Sequence, residues 1–287
     1  MRLGALAAAL LLPAALSACA VATGLNSLLP GSGAEAVDRG IAYGPLREHR
    51  LDVYHPAPSA TLRPALIFFY GGGWVAGSKS TYAFAGQAFA EEGLVTIMPD
   101  YRFSRFPDFL DDGARAIAWV RANAATLGVD PNRIVLAGHS SGAYIAAMLA
   151  MDQARLAAAG VPPEAIAGWA GLAGMYLFDP REGGPIRATF GHVADPAEMQ
   201  PLRLIDPADP PAFLATGGRD GMVDTDHTAQ LAAALHAGGV RVEERTYRGT
   251  GHIGMAASLA GGLGRESDVL LDVAGFLLRL PARTAGR

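Results

Sequence analysis

Arg133-Ile134-Val135-Leu136-Ala137-Gly138-His139-Ser140-Ser141-Gly142-Ala143-Tyr144-Ile145-Ala146-Ala147-Met148-Leu149-Ala150 decides the fold. An apolar run feeds a G-x-S-x-G pentapeptide, and the pentapeptide opens a helix-forming stretch. In that strand–turn–helix order the serine sits on a strained turn with its hydroxyl pushed out at the top of a sheet. The flanking positions, Gly138 and Gly142, must be glycine because a Cβ at either would collide with the neighbouring strand or helix. Ser140 is therefore the candidate nucleophile.

Working outward, Ala65–Phe69 and Leu94–Met98 are continuous apolar runs like Ile134–Ala137. Such runs suit strands covered on both faces, whereas the alternation of Leu51–His55 suits an edge strand at an antiparallel start. Helix-like segments lie between them, Tyr82–Glu92, Asp108–Ala125 and Ser141–Asp152, with Gly93 and Gly128 as stop signals. Further on, Ala165–Ala170, Ala212–Thr216 and Val240–Tyr247 read as strands, and Thr225–Ala237 and Ser267–Leu280 as helices. The alternation predicts an α/β fold, a mainly parallel central sheet with helices on both faces. Met175–Pro210, rich in proline and glycine, predicts a small loop-rich cap of the kind that shapes a pocket above strand ends.

A serine hydroxyl is a poor nucleophile at neutral pH and needs a base, a group to orient the base, and donors for the oxyanion that forms. Tyr70-Gly71-Gly72-Gly73-Trp74 directly follows the strand Ala65–Phe69, and its glycines leave backbone N–H groups unobstructed, as an oxyanion loop requires. Asp220 follows the strand Ala212–Thr216 and is the candidate acid; Asp224 and Asp226 lie close by but suit the first turn of the next helix. His252, in the glycine-bounded loop Gly249–His252 after the last strand, is the candidate base. His139 adjoins the nucleophile but leaves the turn in another direction, a packing or hydrogen-bonding residue. His49, His55, His192, His227 and His236 have no comparable placement.

Composition limits the alternatives. The chain has 287 residues, 17% of them charged, and a net charge of −4, which leaves no basic stripe for nucleic acid. CxxC, HExxH and calcium-loop patterns do not occur, so no metal and no cofactor are expected. Gly72–Lys79 comes near a phosphate-binding loop but has Ser78 where lysine belongs, and Gly31–Ala36 mimics a dinucleotide fingerprint with no strand before it.

The amino terminus carries a separate message. Leu3–Leu16 is too short to span a bilayer as a helix but suits the apolar core of a secretory signal, so residues 1–18 are assigned to a signal peptide. Leu16-Ser17-Ala18-Cys19 resembles the lipobox of bacterial lipoproteins, and Cys19 is the only cysteine. That resemblance implies a lipid on Cys19, a membrane anchor and a place in the cell envelope; Ala20 in the next position favours the outer membrane. Residues 19–37 read as a flexible tether and 38–287 as one catalytic domain.

The order Ser140, Asp220, His252 is the one expected of an α/β-hydrolase triad. With Tyr70–Trp74, Pro99-Asp100-Tyr101-Arg102 and Gly138–Gly142, the chain from Arg39 to Leu280 resembles the esterase/lipase branch of the α/β-hydrolase superfamily. It is especially similar to small carboxylesterases, feruloyl-esterase-like and kynurenine-formamidase-like proteins with an HGGxW motif, from which it departs by Tyr70 in place of histidine. The resemblance implies an oxyanion hole from the N–H groups of Gly72, Gly73 and Ser141, and a structural role for Pro99–Arg102. The expected function is a serine hydrolase of small carboxylic esters working through an acyl-enzyme. Its modest cap favours short acyl groups. Cleavage of an aryl formamide or peptide amide, and a non-enzymatic surface-binding role, are the alternatives. The oligomeric state stays open.

Overall fold

The computed structural model describes residues 34–179, 183–260 and 269–283. The signal segment, Cys19 and most of the tether lie outside the described residues. The strands are β1 (Ala36–Ala42), β2 (Arg50–His55), β3 (Arg63–Phe69), β4 (Val95–Pro99), β5 (Val129–His139), β6 (Ile166–Leu172), β7 (Ala212–Gly217) and β8 (Val242–Tyr247). The helices are α1 (Ala83–Glu91), α2 (Asp108–Ala122), α3 (Ala124–Leu127), α4 (Ser141–Met151), α5 (Gln153–Ala158), α6 (Gly184–Phe190), α7 (Asp226–Ala237), α8 (His252–Ala257) and α9 (Val269–Arg279).

The strands form one sheet in the order β1-β2-β4-β3-β5-β6-β7-β8. β2 pairs antiparallel with β1 and β4, and every other neighbouring pair is parallel. The continuous apolar runs are the central strands: every residue of β4, β6 and β7 is buried. β1, mostly exposed, is the edge strand that the sequence reading missed; it starts at Ala36, inside the stretch assigned to the tether. Its side chains carry no apolar alternation, so only pairing to β2 defines it.

The order of strands positions the site. The chain steps from β3 outward to β4, then returns past β3 to β5, so connections leave β3 and β5 in opposite directions. Right-handed crossovers then put the helices on opposite faces. Accordingly α1 packs with α9, while α2, α4 and α5 pack together. The carboxyl ends of β3 and β5 border the resulting switch point, where open α/β sheets form their crevice. Phe69 and Gly138 are register partners there, so the loop after β3 and the turn after β5 emerge side by side.

Met175–Pro210, read as loop-rich, also contains α6 and two single turns of 3₁₀ helix, Pro196–Met199 and Pro201–Arg203. An aromatic cluster fastens it to the loop after β3 and to α4. The Trp74 ring meets Tyr144 at 5.4 Å and Phe190 at 4.8 Å, both edge-on, and Phe178 at 5.7 Å. Edge-to-face pairs add about 0.5–1.5 kcal/mol each beyond their buried area. The cap and the loop after β3 are thereby one packed unit.

Candidate active site

Ser140 follows β5 at φ 56° and ψ −124°, a left-handed conformation that costs a non-glycine residue about 1–3 kcal/mol. Its N–H donates to the Leu172 carbonyl at 2.8 Å, which ties the strained turn to β6. A Cβ on Gly138 would fall 2.2 Å from the Gly142 carbonyl oxygen, and one on Gly142 would fall 2.1 Å from the Phe69 carbonyl oxygen. Both glycines are thus demanded by backbone. The turn can point the Ser140 hydroxyl outward only because α4 crosses β3 and β5 this closely.

Ser140 Oγ lies 2.9 Å from His252 Nε2, and His252 Nδ1 lies 2.7 Å from Asp220 Oδ2. A carboxylate accepts, so Nδ1 carries the hydrogen and the lone pair of Nε2 faces the serine hydroxyl. Asp220 Oδ1 in turn accepts the N–H groups of Met222 and Val223, both at 2.9 Å. Burial pushes the Asp220 carboxyl up, but the His252 hydrogen bond and these two amides outweigh it and hold it below the usual carboxylate range. The Asp220 carboxylate is therefore charged and held in place. Asp224 is exposed and accepts from the Asp226 N–H at 3.0 Å, a local turn contact at the start of α7.

The loops that carry Asp220 and His252 are joined through backbone. Gly218 N–H donates to the Tyr247 carbonyl and Arg219 N–H to the Thr250 carbonyl, both at 2.9 Å. A Cβ on Gly217 would sit 2.4 Å from the Thr250 oxygen, so glycine permits this approach. His252, expected in a loop, is the first residue of α8, a helix too short to show apolar periodicity in the sequence.

The loop after β3 passes directly over the turn: a Cβ on Gly71 would lie 3.0 Å from Ser140 Cβ. Gly73 N–H donates to Ser141 Oγ at 3.0 Å, so this expected oxyanion donor already has a protein acceptor that the sequence did not signal. Ser141 N–H belongs to the first turn of α4, where backbone donors lack helical partners. Tyr70, standing where related motifs have histidine, is buried and stacks on Tyr101 at 4.6 Å. The Tyr101 hydroxyl donates to the Tyr70 carbonyl at 2.8 Å, and Asp100 Oδ1 accepts from Lys79 N–H at 2.8 Å. Arg102 grips Asp112 through its guanidinium. Pro99–Arg102 is a brace beneath the loop, as its resemblance implied.

Of the other histidines, His49 bonds Asp112 at 2.8 Å, His55 bonds Asp38 at 2.9 Å and His192 bonds the Phe106 carbonyl at 2.8 Å, each away from Ser140. His139 and Tyr82 bond one another at 2.9 Å beside His252. Nothing in the sequence singled out Tyr82.

The profile of the BD-FAE family matches residues 51–235, a stretch that holds Ser140 and Asp220 and ends before His252. Isoprenylcysteine alpha-carbonyl methylesterase of Arabidopsis thaliana is 32% identical over 75% of this chain and 56% of its own length. Carboxylesterase NlhH of Mycobacterium tuberculosis is 34% identical over 39% of this chain and 37% of its own. The chain thus spans about half or less of these relatives. Among solved structures, esterase 2 of Thermogutta terrifontis is 27% identical with a TM-score of 0.69, covering 90% of this chain and 98% of the other. The esterase of Pyrobaculum calidifontis, at 22% identity and a TM-score of 0.75 over 93% and 90%, shares the fold. The profile match spans well over half of the sequence, and the chain, which has the α/β-hydrolase fold, belongs to the BD-FAE family.

Proposed function

We propose that this chain is a serine carboxylesterase acting on small, short-acyl esters through Ser140, His252 and Asp220. The observation that carries the reading is the continuous hydrogen-bonded line from Ser140 Oγ through His252 to Asp220, at 2.9 and 2.7 Å, starting from a strained turn. In the reaction Ser140 Oγ attacks the acyl carbon while His252 Nε2 takes the hydroxyl proton. Asp220 holds the tautomer and stabilises the imidazolium. The tetrahedral oxyanion is received by N–H groups of Gly72, Gly73 and Ser141. Gly73 must exchange Ser141 Oγ for the oxyanion, or share its hydrogen between them. Collapse returns the proton from His252 to the leaving alcohol, and water then hydrolyses the acyl-enzyme by the same route.

Esters are preferred over amides because the relatives and structural neighbours are named esterases. The short-acyl preference rests on the cap: its apolar Tyr176, Ile186 and Phe190 are already buried against the body of the protein, leaving little apolar wall for a long chain. Residues 1–18 act as an export signal, Cys19 bears the lipid that anchors the chain in the cell envelope, at an outer membrane facing the periplasm or the surface, and the catalytic unit runs from β1 onward; the Leu16–Cys19 pattern and the solitary cysteine support this.

Ser140→Ala should abolish hydrolysis of p-nitrophenyl butyrate and labelling by a fluorophosphonate while circular dichroism stays unchanged. Labelling at Ser141, or a residual kcat above about a thousandth of wild type, would displace Ser140 as nucleophile. A parallel screen of aryl formamides and peptide amides tests the bond type; faster amide than ester turnover would overturn the ester reading.

A further inference from the structure

His139, the last residue of β5, is buried at 1% exposure, with its ring 4.8 Å from the His252 ring. Its Nε2 lies 3.1 Å from the His252 carbonyl oxygen and its Nδ1 2.9 Å from the Tyr82 hydroxyl. A carbonyl can only accept, so Nε2 carries the hydrogen, which leaves Nδ1 to accept from the Tyr82 O–H. The two partners together dictate one tautomer. The same imidazole lies under the loop after β3: a Cβ on Gly71 would be 3.0 Å from His139 Nδ1. One side chain therefore touches the nucleophile's strand, the loop after β3, the start of α1 through Tyr82, and the start of α8.

We infer that His139 is a positioning residue: held by Tyr82, it fixes the main chain of His252 and thereby the aim of the His252 imidazole at Ser140. The inference rests on the reading of Ser140 and His252 as nucleophile and base. α8 has only six residues, and its first turn closes through Met255 N–H to the Gly251 carbonyl at 2.9 Å, so a bond to the His252 carbonyl adds a tie from outside this short helix. A hydrogen bond to the carbonyl of His252 itself is the shortest tie available. Tyr82, 4% exposed, stacks on Phe84 at 5.7 Å, so the far end of the chain is anchored too. Burial, and the neighbouring His252 charge, also push the His139 imidazole down to about 3, against the smaller pulls of its hydrogen bond to the His252 carbonyl and of Asp220. A neutral neighbour does not oppose the imidazolium that His252 becomes during the reaction. A cation in that place would.

The test compares full-length wild type with His139→Phe, His139→Gln, Tyr82→Phe and Ser140→Ala on p-nitrophenyl butyrate. His139→Phe keeps a planar, somewhat larger ring without the nitrogens and should lower kcat by about 10- to 100-fold with KM within about threefold, because a misplacement of order 1 Å in the base costs about that factor. His139→Gln, whose amide can reach the same carbonyl, should recover most of that loss. Tyr82→Phe should lower kcat by about 3- to 10-fold, a tighter limit on the same chain of contacts should the larger changes unfold the protein. Nitrogen-15 NMR of histidine-labelled protein should assign His139 the Nε2–H tautomer at neutral pH. A folded His139→Phe with wild-type kcat, equal losses in the Phe and Gln variants, a Tyr82→Phe indistinguishable from wild type, or an Nδ1–H tautomer at His139 would each overturn the proposal while Ser140→Ala stays inactive. Activity in Ser140→Ala would instead overturn the reading beneath it.

Discussion

Gly142→Ala adds one methyl group where the first turn of α4 crosses the end of β3. Its Cβ would fall 2.1 Å from the Phe69 carbonyl oxygen, and 2.6 Å from both the Phe69 carbonyl carbon and the Tyr70 oxygen. Every one of these atoms is backbone at the end of β3, so no side chain can rotate away. Ordinary carbon–oxygen contact begins near about 3.4 Å, so α4 and the end of β3 must separate by about 1.3 Å. That end of β3 leads into Tyr70–Gly73, and the first residue of α4 follows Ser140, so the separation opens between the proposed nucleophile and its proposed oxyanion donors. Overpacking of this kind costs about 1–3 kcal/mol of stability. A displacement of about 1 Å costs about a hundredfold in rate, equivalent to about 2.7 kcal/mol of barrier. The assay is kcat on p-nitrophenyl butyrate beside the urea midpoint, with Gly221→Ala as comparison: Gly221 lies next to Asp220 but a Cβ there meets nothing within 4 Å. Gly142→Ala should lose both activity and stability, and Gly221→Ala should remain within about twofold of wild type. If Gly142→Ala retained half of the wild-type kcat at an unchanged midpoint, the claim that the G-x-S-x-G turn is held by backbone contact with β3 would be refuted.

Asp220→Asn should lower kcat by about 10⁴-fold, since an amide at this position permits the wrong His252 tautomer, whereas Asp224→Asn should change it less than about twofold; the reverse ranking would move the acid to Asp224. Because the His139 pKa is about 3 in the folded protein and near 6.5 when unfolded, the unfolded chain binds more protons between those values and stability falls as pH falls through that window. From pH 8 to pH 5 the loss from this group is about 2 kcal/mol, so the urea-derived unfolding free energy of wild type should drop by about that much more than that of His139→Gln; parallel pH curves would show that His139 takes up a proton in the fold. On p-nitrophenyl esters kcat/KM should peak from acetate to butyrate and decline by octanoate, because an added CH₂ gains about 0.8 kcal/mol only where it is buried; a maximum at dodecanoate would reveal a deeper groove. Full-length protein made in a bacterial host should enter the membrane fraction with a lipid on Cys19 and Cys19→Ser should not, while recovery of soluble unmodified wild type would remove the anchor.

The sequence by itself determined the layered α/β architecture and marked the chain order of the candidate site residues, because those signals are local. Strands buried on both faces must be continuously apolar, as β3, β4 and β6 are, and G-x-S-x-G between a strand and a helix is legible wherever it lies. The tertiary structure alone decided what depends on distant register. β1 escaped the reading because an exposed edge strand needs hydrogen bonds to β2 and no apolar pattern of its own. Three aspartates stood near the end of β7, and the backbone ties between the loops of Asp220 and His252 bring Asp220 within 2.7 Å of His252. His139 could be read as a packing or hydrogen-bonding residue, but its partners are 57 and 113 residues away in the chain. No local pattern encodes a hydrogen bond of that span, since the geometry arises only once β5, α1 and α8 have packed together. The engagement of Gly73 by Ser141 is of the same kind: glycine at position 73 is a statement about one loop, and the acceptor it faces is set by how closely the sheet draws β3 and β5 together.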